Sequence, residues 1–150
     1  RGLGDVYKRQ GKFYIYEKLV FIKAFTMSSS AFSAKVFAVY LFLAGAVLVT
    51  VPNLLLALLQ IPPTPDVWIR VVGLVAFMIG VYAWVAASHE FKPFLVASVY
   101  TRFVVFVAFT AFAITGLGSP MILLFGLADL AGGIWTYSAL RADARWDGTA

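Results

Sequence analysis

The sequence predicts an all-α integral membrane protein, an antiparallel four-helix transmembrane bundle. Three observations carry that prediction. Hydrophobic residues make up 62% of the chain and charged ones only 13%, with a mean hydropathy of +0.90, whereas a soluble domain is about half apolar and roughly a quarter charged. Apolar segments long enough to cross a bilayer recur four times, and Pro- or Gly-rich punctuation separates them. The 150 residues suit one membrane domain with short loops.

The expected domain layout has three parts. Residues 1–26 form an N-terminal extension, residues 27–140 the four-helix membrane domain, and residues 141–150 a polar, frayed tail. Arg1–Gln10 resembles translated sequencing-adapter sequence, and Met27, followed by three serines, reads as the natural start. The formal charge of +5 belongs mostly to this extension, where six Lys/Arg face two Asp/Glu. The basicity is therefore no argument for nucleic acid, and no nucleic-acid partner is expected.

The first span is expected over about residues 34–51. A single helix from Val36 to Leu59 would be about 36 Å long, beyond the roughly 30 Å hydrocarbon core. Pro52 disfavours helix at the preceding residue and lacks a donor, so the span should end near Val51, with a short interfacial helix or turn to Gln60. Ala44-Gly45-Ala46 imitates a signal-peptidase site, but Val47–Val51 stays apolar, which suits a retained helix. The prolines at 62, 63 and 65 make a stiff connector. Asp66 is expected to cap the second span, 67–87, and to pair with Arg70 at the outer interface. Ser88–Pro93 reads as a polar loop. The third span covers 94–115, Gly116–Pro120 turns the chain, and Pro120 opens the fourth span, 121–140.

Orientation follows from the basic residues near the span ends. Lys35, Lys92, Arg141 and Arg145 lie on one side and Arg70 alone on the other. Both termini are therefore expected in the cytoplasm of a bacterial inner membrane. Trp84, Trp135 and Tyr137 fall toward the cytoplasmic interface and Trp68 toward the opposite one, as in aromatic belts.

Two ionisable residues lie deep in the apolar segments. Arg102 is about 12 Å past Phe94 and Asp129 about 16 Å before Leu140. An isolated charge at a helix centre costs roughly 2.5–3.5 kcal/mol on insertion scales, so a contact between them is the economical expectation. Gly126, Gly133 and Thr136 share the face of Asp129 and leave room beside it. The pair reads either as a clamp fixing register between the last two helices or as a proton or cation site at Asp129 held ionised by Arg102. Gly73, Ala76 and Gly80 in the second helix, and Ala128 and Gly132 in the fourth, are expected to let helices approach closely.

Several chemistries are excluded or unsupported. Without cysteine there is no disulfide, thiolate nucleophile, Cys-ligated zinc or iron–sulfur cluster. One histidine, His89, rules out a haem held by two histidines of one chain, and its loop position favours a solvated side chain. No Ser/His/Asp arrangement, phosphate loop or dinucleotide fingerprint is present. No catalytic residue, metal or cofactor is expected, and a non-enzymatic role is favoured.

Trp68-Ile69-Arg70-Val71-Val72-Gly73, Arg102, and Leu124-Phe125-Gly126-Leu127-Ala128-Asp129-Leu130 resemble the small four-helix inner-membrane proteins of the broad DoxX-like assemblage and its uncharacterised relatives. The resemblance covers about residues 34–140 and implies the same four-helix membrane fold. Some members of that assemblage are associated with quinone-linked redox complexes, and many have no assigned activity. Three functional readings stand at this point: an accessory or interaction protein with a structural Arg102–Asp129 pair, a proton-coupled or small-solute translocator using both residues, and a quinone-associated subunit of an oxidoreductase. The bilayer is the one certain partner; a homo-oligomer or a membrane partner subunit is the next expectation, since four short helices enclose little volume.

Overall fold

The computed structural model describes residues 27–146, the last by its backbone alone; the adapter-like segment and the extension to residue 26 lie outside the described residues, as do residues 147–150 of the tail. The described chain is all-helical: α1 (Ser29–Thr50), α2 (Pro52–Leu58), α3 (Val67–Ser88), α4 (Lys92–Ile114), a 3₁₀ turn at Pro120–Ile122, and α5 (Leu123–Trp146). Four segments are long and apolar enough to cross a membrane, with mean hydropathies of 2.1, 2.1, 1.9 and 1.3 in chain order.

Local chemistry explains the boundaries. Ser28 caps α1 by accepting from the Ala31 N–H at 3.2 Å, so the first span begins at Ser29 rather than near residue 34. Pro52 occupies the first turn of α2, where its missing N–H costs nothing. Both α2 and α3 end in a Schellman arrangement built on a non-glycine residue. Gln60 takes φ 54° and Glu90 φ 50°, with Ile61 N–H bonding Leu56 O and Phe91 N–H bonding Ala86 O, each at 2.9 Å. Gly116, at φ 73°, ends α4. Lys92 and Pro93 belong to α4 rather than to a loop. Beyond residue 140, α5 continues through Arg145 to Trp146, so this part of the expected frayed tail is helical. Asp143 on that extension accepts from the Ser30 N–H at 3.0 Å, which ties the end of α5 to the start of α1.

Helix α1 packs most extensively on α3, α4 packs on α5, and α1 joins the two pairs through α5. The register is explicit. Gly45 meets Gly73 and Phe77, whereas Gly80 meets Phe42 and Ala38, so contacts descend along α1 as they ascend along α3. The same holds between α4 and α5: Gly126 meets Phe106 and Phe109, while Gly133 meets Arg102. Although consecutive, α3 and α4 make few contacts.

The interior is small and partly polar, and the exterior is large and apolar. Buried positions include Ala31, Ala34, Ala38, Ala83 and Ala87 together with Ser30, Ser33, Ser98, Arg102, Asp129 and Thr136. Leu43, Leu54, Trp68, Phe103, Val104 and Ile134 are exposed. In water such a surface would be an aggregation liability. In lipid it is the expected arrangement, because small residues let helices approach while large side chains meet acyl chains. Length, hydropathy and this distribution make the chain a multi-pass membrane protein.

Candidate functional site

Arg102 and Asp129 are both buried, at 3% and 8% exposure, and both line one cavity. Among the described residues, however, no N–O approach within 4.0 Å joins them as an ion pair. The expected direct contact is replaced by a separation with a clear geometric cause. Side chains on a helix lean toward its N-terminus. Arg102 on α4 therefore leans toward Ser98, and Asp129 on α5 leans toward Phe125. Because the contact register runs in opposite senses on these helices, the two side chains diverge.

The guanidinium is held by other groups. Its Nη1 donates to Thr136 Oγ1 at 3.1 Å, and its Cζ lies 3.6 Å from the centroid of the Phe37 ring on α1, a cation–π distance. A Cβ added at Gly132 would lie 3.0 Å from Nη1, and one at Gly133 would lie 3.5 Å from the Arg102 Cβ. These two glycines open the groove in which the arginine rests. Gly126, by contrast, accommodates the rings of Phe106 and Phe109 rather than the charged pair.

Thr136 is the hub of this site. It is fully buried, and a hydroxyl offers one proton and two lone pairs. The proton goes to Gly132 O at 2.9 Å; the oxygen receives Arg102 Nη1 and, at 3.0 Å, the Ser33 hydroxyl. Ser33 also lies 2.8 Å from the Ser30 carbonyl, and Ser30 reaches Ser28 and Asp143. A polar ladder thus runs from Arg102 to the end of the bundle where α1 begins. Arg102 Nε is buried with no hydrogen-bond partner, and among the described residues neither Asp129 oxygen accepts a hydrogen bond.

The cavity has a volume of about 760 Å³ and is lined by all five helices, including α3 and α4, which make few contacts with each other. Its walls are mainly aliphatic and aromatic, with Ala76 and Ile79 from α3 and Ala97 and Val105 from α4; Arg102 and Asp129 are its charged groups, and Tyr40, Tyr82, Ser98 and Thr101 add hydroxyls. Ligand sites in proteins commonly enclose roughly 300–1,000 Å³ with mostly apolar walls and a few convergent polar groups. Among the described residues no cluster of three His, Cys, Asp or Glu side chains is placed to hold a metal.

The remaining expected positions divide between interior and surface. Gly73 and Gly80 are buried against α1, and Ala76 is half-buried on the cavity wall. Ala128 is exposed on the outside of α5, so Ala128 and Gly132 do not form one packing step within the bundle; Gly132 serves the Arg102 groove instead. The expected Asp66–Arg70 pair is likewise replaced. Arg70 Nη1 donates to the Val49 and Thr50 carbonyls at the end of α1, whose orphan acceptors attract a cation. Asp66 accepts from the Thr64 hydroxyl at 3.0 Å and makes no side-chain cap to α3. Sequence reasoning passed over Ser30, Ser33, Phe37 and Tyr40, yet their three- and four-residue spacing marks one face of α1. It also missed the packing role of Gly45, where an added Cβ would lie 2.7 Å from the Gly73 carbonyl oxygen.

The chain matches no family model, no curated protein and no solved structure.

Proposed function

We propose that this chain is a multi-pass protein of a bacterial inner membrane that holds a lipid-soluble guest in the cleft between α3 and α4. The observation that carries this reading is the 760 Å³ cavity lined by all five helices, lipid-like on its walls and carrying Arg102 and Asp129 part-way along them. A scaffold whose only role was packing would close that gap, because small residues such as Ala76 and Ala97 already permit close approach. The expected accessory role acquires a specific content: the protein presents or shields an amphipathic molecule within the bilayer. The DoxX-like kinship and the placement of both termini in the cytoplasm belong with this proposal, supported by the motif residues and by Lys35, Lys92, Arg141 and Arg145 on one side.

The test is retention of a guest. Purified protein should carry lipid or another apolar molecule through detergent exchange, detectable by native mass spectrometry. Ala76→Trp, which fills the cleft from its half-buried wall, should reduce that retention at least tenfold while leaving the fold intact. Wild-type protein free of any guest, or equal retention in the variant, would remove the proposal.

The translocator reading has one observation in its favour: Asp129 is buried yet accepts no hydrogen bond among the described residues. It predicts that Asp129→Asn abolishes proton-coupled flux in sealed vesicles.

A further inference from the structure

Resting on the cavity reading above, we infer that the part of the cleft lined by Arg102 and Asp129 is a head-group site for a zwitterionic lipid bearing a primary ammonium and a phosphate. A buried cation and a buried anion face one cavity without touching each other. The geometry keeps them apart, since α4 and α5 lean their side chains in opposite directions along the bundle. Each charge is incompletely satisfied. Arg102 spends one nitrogen on Thr136, and its Nε has no partner; Asp129 accepts nothing among the described residues.

A ligand suited to this part of the cleft must satisfy both charges. An anionic head alone would serve Arg102 but be repelled by Asp129. A neutral head would leave both charges uncompensated in a low-dielectric site. A zwitterion places its phosphate toward the guanidinium, which matches oxyanions well, and its ammonium toward the carboxylate. Tyr40, also on the cavity wall, adds a hydroxyl to the site. A primary ammonium is favoured over a quaternary one because only N–H groups can donate to the bare carboxylate oxygens. The acyl chains then lie along the aliphatic walls and leave through the gap between α3 and α4.

The experiment uses the full chain in detergent, exposed to three phospholipids with identical acyl chains, and reads the bound fraction by native mass spectrometry. The three heads are phosphatidylethanolamine, phosphatidylcholine and phosphatidylglycerol. The expected result is retention of the ethanolamine lipid at least tenfold above each of the others, with Asp129→Asn collapsing its preference over phosphatidylglycerol to within twofold. A preference for phosphatidylglycerol would show an anion site only and overturn the inference, as would equal retention of all three. In the latter case, retention that still falls in Ala76→Trp would leave the cavity reading intact, whereas no retention of any lipid would overturn both. The wild-type comparison decides the matter even where Asp129→Asn fails to fold.

Discussion

At the scale of residues, Arg102 shows how a buried charge is accommodated without its obvious counterion. Thr136, Phe37 and the Gly132–Gly133 groove hold it, so its stability is tied to a neutral hydroxyl and a ring. Hydrogen bonds between membrane helices contribute about 0.6 kcal/mol on average and about 1.7 at most, but losing the acceptor of a buried cation costs more than losing a neutral pair. Thr136→Val should therefore destabilise the protein by about 1–2 kcal/mol, and Thr136→Ser should restore most of it, as read by unfolding in mixed micelles. The coupling measured by double-mutant cycle should be larger between Arg102 and Thr136 than between Arg102 and Asp129. Exchanging Arg102 and Asp129 should not restore stability, because a carboxylate at 102 would meet the Phe37 face and the Thr136 oxygen. Recovery in that exchange would restore the direct clamp.

At the scale of elements, the contact between α1 and α3 depends on backbone approach at Gly45 and Gly73. A Cβ at Gly45 would lie 2.7 Å from the Gly73 carbonyl oxygen and 2.8 Å from the Phe77 nitrogen. Both are main-chain atoms, so relief requires moving a helix. Gly45→Ala should cost about 1–3 kcal/mol, the range of overpacked sites, while Ala128→Leu on the exposed face of α5 should be close to neutral; comparison of their detergent melting temperatures checks this contrast. At the other end of α1, Arg70→Ala should cost about 0.3–1 kcal/mol by removing a cation from the helix C-terminus. Asp66→Asn should matter less, since its carboxylate caps no helix. These elements were largely legible in the sequence, because Pro52, the 62–65 prolines and the Gly116–Pro120 turn interrupt hydrophobic periodicity. Of the ends that shifted, Ser29 did so because Ser28 supplied a cap, Trp146 because Asp143 met the Ser30 N–H, and Lys92 because Pro93 suits a helix's first turn.

At the scale of the whole molecule, the inverted distribution of side-chain sizes and the open cleft are the defining properties. Large apolar groups face outward, and alanine, glycine and serine fill the interfaces. The chain contains no cysteine, so single cysteines report topology cleanly. A cysteine at Ser88 should react with an impermeant reagent only from the cytoplasmic side and one at Leu117 only from the opposite side. The reverse pattern would overturn the proposed orientation, which rests on Lys35, Lys92, Arg141 and Arg145.

The residues alone determined that this chain is all-helical and bilayer-compatible, where its helices break, and that Thr136 shares a helical face with Asp129. Hydropathy and helical period suffice for that, because both are properties of consecutive residues in one element. Which groups those side chains would meet was decided only by tertiary structure. Depth along a helix places a backbone, but the tilt of Cα–Cβ bonds, the groove at Gly132 and Gly133, and the Phe37 ring arriving from α1 decide where a guanidinium goes. The gap between α3 and α4 is likewise invisible to periodicity, since it depends on how α1 and α5 hold the two helices apart.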